Sequence, residues 1–495
     1  MLENKYKQIT ISEHVSLYDK IIPKDHFLRK LKENIDFSFV NKLVEKEYCQ
    51  EHGRPAKEPE MMYKLLFLET KDLLSDREVT TRAKTDMAYK FFLDLNPEDD
   101  VPCYSLLSVF RNTKIKNEEV LEEMLQETVR QAIEKGIIKS NSIIVDAAHT
   151  NSKNQKKTPT QVLRELSKNL RKEIYQTEPE LKEVFPTKPD ETATLEEEIE
   201  YTKKLVEAIQ NKMTEKTDKK IQKKLEKVEN MLKDEKIKKI QSAVDIDAKK
   251  GYKSEENDFF GYKNHIAMTP ERIVTAIEVT SGEAPDGKYL PKLVEKTKKT
   301  GVDVKEVIGD KAYSGKDNLE YGENNDIKII SRINNVITNS QKKEDDGFEY
   351  IKDADTIRCP MGHLAKSKYY RKEQYAEDGY RNARMEYEFN KNTCNQCPMK
   401  EQCLGKNKKR GKRYSITILS DAHKKQEEFE QTEYFNKRLR SERYKIEAKN
   451  AETKVAHGLC KAKSVGLFRM RIQSYLAHIT TNLKRIIKKM DEVPA

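Results

Sequence analysis

Apolar residues recur at helical spacing through the first 135 or so positions, and then the period changes. In KEPEMMYKLLFLETKDLLSD, Met61, Met62, Leu65, Leu66, Leu68 and Leu73 predict a helix that begins just after Pro59, a residue suited to a first turn. DREVTTRAKTDMAYKFFLDL predicts another, with Asp76 as its N-cap. The break LNPEDDVP precedes a short helix over Ser105 to Asn112, and NEEVLEEMLQETVRQAIEKG gives one more, ending at Gly136. Residues 1–136 are therefore expected to form a compact helical domain.

At Ile137 the pattern becomes that of a sheet. NSIIVDAAHT is an apolar, β-branched run that predicts a buried strand with Asp146 at its carboxyl end. Residues 154–240 interrupt this region with highly charged helix. Leu195, Ile199, Leu205 or Val206, Ile209 and Met213 form one apolar stripe, and Ile221, Leu225, Val228 and Leu232 a second. These predict an inserted antiparallel hairpin that breaks near Thr214 to Asp218. FFGYKNHIAMT and RIVTAIEVT then predict two strands joined by a TPE turn, and PDGKYLPKLVEKTKKTG a helix. VKEVIGDKAY predicts a strand ending in Asp310, followed by a short helix in SGKDNLEYGENN and a strand in DIKIISRI. This order is that of an α/β, ribonuclease H-like mixed sheet, whose first and fourth strands are neighbours. Asp146 and Asp310 would then lie side by side. The catalytic core is assigned to 137–153 and 241–335, with the final strand and helices in 413–495.

Residues 336–412 form a second insert, rich in cysteine. Cys359 and His363 lie in DTIRCPMGHL, and Cys394, Cys397 and Cys403 in NTCNQCPMKEQC. A CxxC with an upstream Cys-Pro resembles a zinc ribbon, with Cys359, Cys394, Cys397 and Cys403 as thiolate ligands and His363 as a substitute. The longer gap to Cys403 leaves open the alternative of reduced cysteines packed in a small insert. KNKKRGKRYSITI leads into one more strand, Asp421 to about Val455 reads as one long polar helix, and a final apolar helix starts near Leu467.

The 495 residues carry 95 Lys and Arg against 84 Asp and Glu, a formal charge of +11. Mean hydropathy is −0.89. Such a surface suits a polyanionic partner or simply a well-solvated protein. Arg77, Arg82 and Arg111, on short helices, would suit groove binding of DNA. No apolar run approaches the roughly 18 residues of a membrane span, and the first residues lack a signal-peptide core. A cytoplasmic protein, nucleoid-associated when bound to DNA, is expected.

The chemistry centres on RSERYKIEAKNAETKVAHGLCKAK. On a helix, Arg443, Glu447 and Lys454 share one face. Two strand-end acids and one on a helix, Asp146, Asp310 and Glu447, can hold two divalent ions. Oxygen ligands favour Mg2+ or Mn2+. Arg443 and Lys454 would grip flanking phosphates, and Lys263 and His265 are further candidates for contact with DNA.

These motifs together resemble the DDE transposases of bacterial insertion sequences, in the branch with an N-terminal helical domain and a cysteine-bearing insert. IIPKDHFLRKL, PEMMYKLLFL and SLLSVFRN resemble the N-terminal domain. IIVDAAHTNS, FFGYKNHIAMT and VIGDKAYSG resemble the first two acidic segments. RYKIEAKNAETK is similar to the signature of Arg, three residues, Glu, six residues, Lys, and GLFRMRIQSYLAHITTNLKR to the C-terminal helix. The family's Tyr, three residues before the Arg, is here Arg440. The resemblance implies nicking at element ends, joining of 3′-hydroxyls to target DNA, terminal-repeat recognition by the N-terminal domain, and a homo-oligomer on double-stranded DNA. The alternatives are a catalytically degenerate DNA-binding relative and a ribonuclease H-like nuclease without strand transfer.

Overall fold

The computed structural model describes residues 14–49, 55–177, 179–212, 218–233, 237, 240–252, 257–334, 337, 347–351, 354–376, 379–404 and 410–492. The helix Pro59–Lys71 is the hub of the N-terminal region, with Met62, Tyr63, Leu65, Leu66, Phe67 and Leu68 all buried. The next predicted helix is two. Ser75, not Asp76, caps Asp76–Thr85 through a capping box with Glu78, and Asp86 then caps Met87–Phe92. A cap side chain that takes up free N–H groups can start a new helix inside a continuous apolar period. Ser105–Thr113 and Glu118–Glu134 follow, and Gly136 leaves the latter at φ +66°.

The sheet runs β1 (Ser142–Asn151), β2 (Lys249–Tyr252), β3 (Asp258–Met268), β4 (Val274–Ser281), β5 (Glu306–Ile308) and β6 (Lys328–Ile330). Its order is β2-β3-β1-β5-β6, with β4 also paired to β3. β3 is antiparallel to β1, whereas β5 is parallel to both β1 and β6. The expected neighbours, β1 and β5, are therefore adjacent. β1 is longer than expected, so that Asp146 is its fifth residue and not its end.

One hydrophobic core joins the N-terminal helices to the sheet. It runs from Leu28 through Phe92 and Leu125 to Ile266, Val307 and the C-terminal helix Leu467–Glu492. Lys296 is buried where these layers meet, bound to Glu118 at 2.9 Å, Glu122 at 2.7 Å and Glu278 at 2.7 Å. Burying that ammonium is tolerable because three carboxylates surround it.

The charged insert holds its own core, and among the described residues it has three α-helices instead of two: Pro159–Thr177, Leu195–Gln210 and Lys219–Lys233. The expected break lies largely outside the described residues. Fully buried Asp245 fastens the insert's base, accepting from Ser152 at 3.0 Å and from the Tyr262 hydroxyl. In the cysteine region, Arg413–Thr417 pairs with Arg384–Glu388, which pairs with Ser367–Arg371. That strand belongs to this small sheet and does not extend the main one. The long polar helix is three: Asp421–Glu430, Glu433–Glu442 and Tyr444–Ala456. Thr432 caps the second, and Arg443 sits at the junction with the third. No described helix is long and apolar enough to cross a membrane.

Candidate active site at the open edge of β1

β5 ends at Ile308, having paired β1 only along Ser142–Ile144. From Asp146 onward that edge of β1 would be bare, and an unpaired strand edge needs cover. Residues 444–462 supply it. The helix Tyr444–Ala456 lies against β1, and Asn151 accepts from Ala462 N–H at 2.8 Å and donates to Cys460 O at 3.0 Å. Arg438 anchors the preceding helix by reaching Glu306 on β5 and Ser142 on β1, each at 2.9 Å. A short strand thus opens a gap at Asp146, and the helix bearing Glu447 fills it.

Asp310 follows β5 by two residues. A Cβ on Gly309 would stand 2.7 Å from the Tyr313 ring and 3.0 Å from Val145 Cγ2, so glycine lets this loop approach β1. Asp310 then caps a short turn, its Oδ1 accepting from Ala312 N–H at 2.9 Å. Burial pushes the Asp146 carboxyl up to about 6; the Ala147 N–H and Arg443 oppose this, while Asp310 and Asp286 add to it. Asp310 is raised in the same direction, again by burial first, with Asp286 adding and Arg443 and Lys263 opposing. Two half-buried carboxylates at one edge, partly offset by cations, form a site that gains from bound positive charge.

The expected residues divide into those that gather here and those that do not. Asp146, Asp310 and Arg443 gather. Lys454 lies further along the same helix, 3.3 Å from His149 Nδ1. Glu447 is exposed in the first turn, where the helix dipole favours an acid. Among the described residues, no three or more of His, Cys, Asp and Glu are arranged to hold a metal ion, so the three acids do not close round one point. Lys263 is held by Asp286 and Ala284 O, each at 2.8 Å.

Two expected DNA contacts are otherwise engaged. His265 is fully buried, stacked on Tyr289 at 4.5 Å and bonded to Thr280 at 2.9 Å, and burial drives its imidazole down to about 3. It is a neutral core residue, not a surface contact. Arg111 bonds Glu69 at 2.7 Å and Asp76 at 2.6 Å, and so ties the helical region together internally. Arg77 lies over the Tyr104 ring and Arg82 pairs with Asp86 and Asp72, so these cations are engaged too.

Three neighbours of the acids escaped sequence reasoning. Asp286 lies in the loop after β4 and bears no motif. Tyr313 has a buried hydroxyl, pushed up by burial and then by Asp286, Asp146 and Asp310. Asn450 donates to Asp146 Oδ2 at 2.8 Å. Its position three residues after Glu447, on the same helical face, was a usable signal.

The cysteines gather elsewhere. Cys359, Cys394, Cys397 and Cys403 line one cavity of about 410 Å3, with His363 on its rim. Three of them lie at tight turns, where Cys359 N–H donates to His363 O at 2.9 Å and Cys397 N–H to Cys394 O at 3.4 Å, and Cys403 lies on the short helix Lys400–Leu404. All four are free thiols. They too form no metal-holding group among the described residues, so the expectation of zinc is not supported.

Two family descriptions match the chain. Residues 16–113 match "Transposase domain (DUF772)", which covers the helices from Ser16 to Thr113. Residues 358–487 match "Transposase DDE domain", which spans the cysteine region, Arg443, Glu447 and Lys454. No curated protein and no solved structure matches. With a transposase domain at its start and a DDE transposase domain towards its end, the chain belongs to the insertion-sequence DDE transposases.

Proposed function

We propose that this transposase binds the terminal repeats of its element and cuts and joins DNA at Asp146, Asp310 and Glu447 with the help of divalent cations. The observation that carries the reading is the placement of Asp146 and Asp310 together at the edge of β1 that β5 leaves unpaired, under the helix that bears Glu447. A strand order with β3 antiparallel and β5 and β6 parallel to β1 supports a ribonuclease H-like core for it.

The residues fit a hard cation. The donors are oxygens, which suit Mg2+ or Mn2+ better than zinc. The two half-buried aspartates outnumber the one cation, Arg443, that acts on both with Lys263 added only at Asp310, and a buried carbonyl oxygen of Asn450 lacks a partner beside them. Such cations, when bound, polarise the scissile phosphate and activate the attacking hydroxyl. The chain contributes position. Asp146 and Asp310 are fixed by the sheet. Glu447 offers a third carboxylate from a helix terminus open to DNA. Arg443 lies close enough to favour the charged form of both aspartates. Lys454 extends the cationic line along the same helix towards a neighbouring phosphate.

The N-terminal helices, in which Arg82 and Arg111 are paired internally, recognise element ends by shape and exposed side chains. The active form is a homo-oligomer that holds two ends. The test is a plasmid carrying both element ends, incubated with protein and Mg2+. Nicking at the ends followed by joining to target supports the reading. End binding without nicking under any divalent cation indicates a degenerate relative, and nicking without joining of a precleaved end indicates a plain nuclease.

A further inference from the structure

We propose that Asn450 is a positioning residue of the acidic site. Its amide N–H fixes one oxygen of Asp146, and its carbonyl oxygen accepts from the water shell of a divalent cation. This rests on the cation-dependent reading above and names a residue that the three acids leave out.

Asn450 lies one turn beyond Glu447 on the helix Tyr444–Ala456, so both project from the same side. Only 8% of it is exposed. Its Nδ2 donates to Asp146 Oδ2 at 2.8 Å. An ionised carboxylate only accepts, so chemistry fixes which end of the amide faces Asp146. The other end, Oδ1, is buried and has no hydrogen-bond partner. Leaving a buried carbonyl oxygen unsatisfied is costly, and such an atom beside an acid pair calls for a donor that binding supplies.

A comparison inside the molecule separates this asparagine from a structural one. Asn482, on the C-terminal helix, straps that helix to β4 with both ends satisfied. Its Oδ1 accepts from Val274 N–H at 2.8 Å and its Nδ2 donates to Val274 O at 2.7 Å. Asn264 also keeps an unpartnered oxygen, but its amide N–H groups go to Ala148 O and Thr150 Oγ1, within the β1–β3 pair and away from the acids. Asn450 alone among these three joins a free acceptor to a bond with Asp146. By holding Oδ2, it fixes the rotation of the Asp146 carboxylate beside Asp310. Groups that orient a ligand in this way tune metal affinity without touching the metal.

The test measures Mn2+ affinity of the full chain, without DNA, by electron paramagnetic resonance. N450L removes both hydrogen-bonding ends at similar volume, N450A removes them and leaves space, and D146N removes a proposed ligand. Each protein is compared in EDTA by thermal unfolding, and affinity is read where all are folded. Wild type is expected to bind Mn2+, D146N to lose that binding, and N450L and N450A to bind about ten- to hundredfold more weakly. Wild-type affinity in both N450L and N450A overturns the assignment of Asn450 and leaves the cation site standing. Wild-type protein that binds no Mn2+ overturns the cation reading and this inference together.

Discussion

Gly309 comes so close to Val145 that a Cβ on it would stand 3.0 Å from Val145 Cγ2, and this approach sets Asp310 beside Asp146. The same Cβ would press on the Tyr313 ring at 2.7 Å. Gly309→Ala must therefore displace the Asp310 loop from β1. Such overpacking should cost about 1–3 kcal/mol of stability. It should reduce DNA cleavage much more than end binding. Urea unfolding and a gel shift, run beside a nicking assay, check both parts.

Asp146 makes the cation-free protein sensitive to pH. Its folded carboxyl titrates at about 6, above the usual unfolded value of about 3.9. The folded state thus holds the proton more tightly than the unfolded state. The stability this contributes is complete below about pH 4 and is lost as pH rises through about 6, on the order of 3 kcal/mol in all. In EDTA, wild type should weaken relative to Asp146→Asn between pH 4 and 7, and saturating Mg2+ should narrow that difference. Urea midpoints for the two proteins across this range decide the matter, and parallel curves would contradict the account.

Lys296 is the charge on which the joint between helix Glu118–Glu134 and β4 depends. Removing it leaves Glu278, which is 5% exposed at its side chain, with Lys292 at 2.8 Å as its cation, and takes away the ammonium that Glu118 and Glu122 share. Lys296→Met should destabilise the protein by about 3–5 kcal/mol, as expected when one partner of a buried pair is removed. Calorimetry of the two proteins gives the comparison.

Arg111 tests whether a cation flagged by sequence reads DNA or braces the fold. Its bonds to Glu69 and Asp76 make it a brace. Arg111→Ala should lower stability by about 1.5–3 kcal/mol, the range for hydrogen bonds to charged groups. The salt dependence of DNA binding should keep its slope, whereas loss of a phosphate contact would reduce that slope by about one.

The helix at Pro59 and the strands at Ile143 and Val307 could be read from the chain because their apolar periods are long and uninterrupted. The division at Asp86 could not, because one capping carboxylate outweighs a continuing period. Arg413–Thr417 reads as a strand, but its partner Arg384–Glu388 is a matter of tertiary pairing that no local pattern encodes. At the site, the adjacency of Asp146 and Asp310 followed from strand order alone. What sequence missed were groups acting through space. Asp286 is an isolated loop acid, and Asn450 matters only because β5 stops short and the helix takes its place. His265 and Arg111 misled for the opposite reason, since polarity in a sequence does not show whether a side chain meets solvent or a buried partner.

The central claim is that Asp146, Asp310 and Glu447 act as one site. The most direct measurement is end-specific nicking with Mg2+ by Asp146→Asn, Asp310→Asn and Glu447→Gln, each assayed beside binding to the same DNA ends. The account predicts that all three bind the ends as wild type does and that none nicks. Wild-type nicking by any one of them would contradict it.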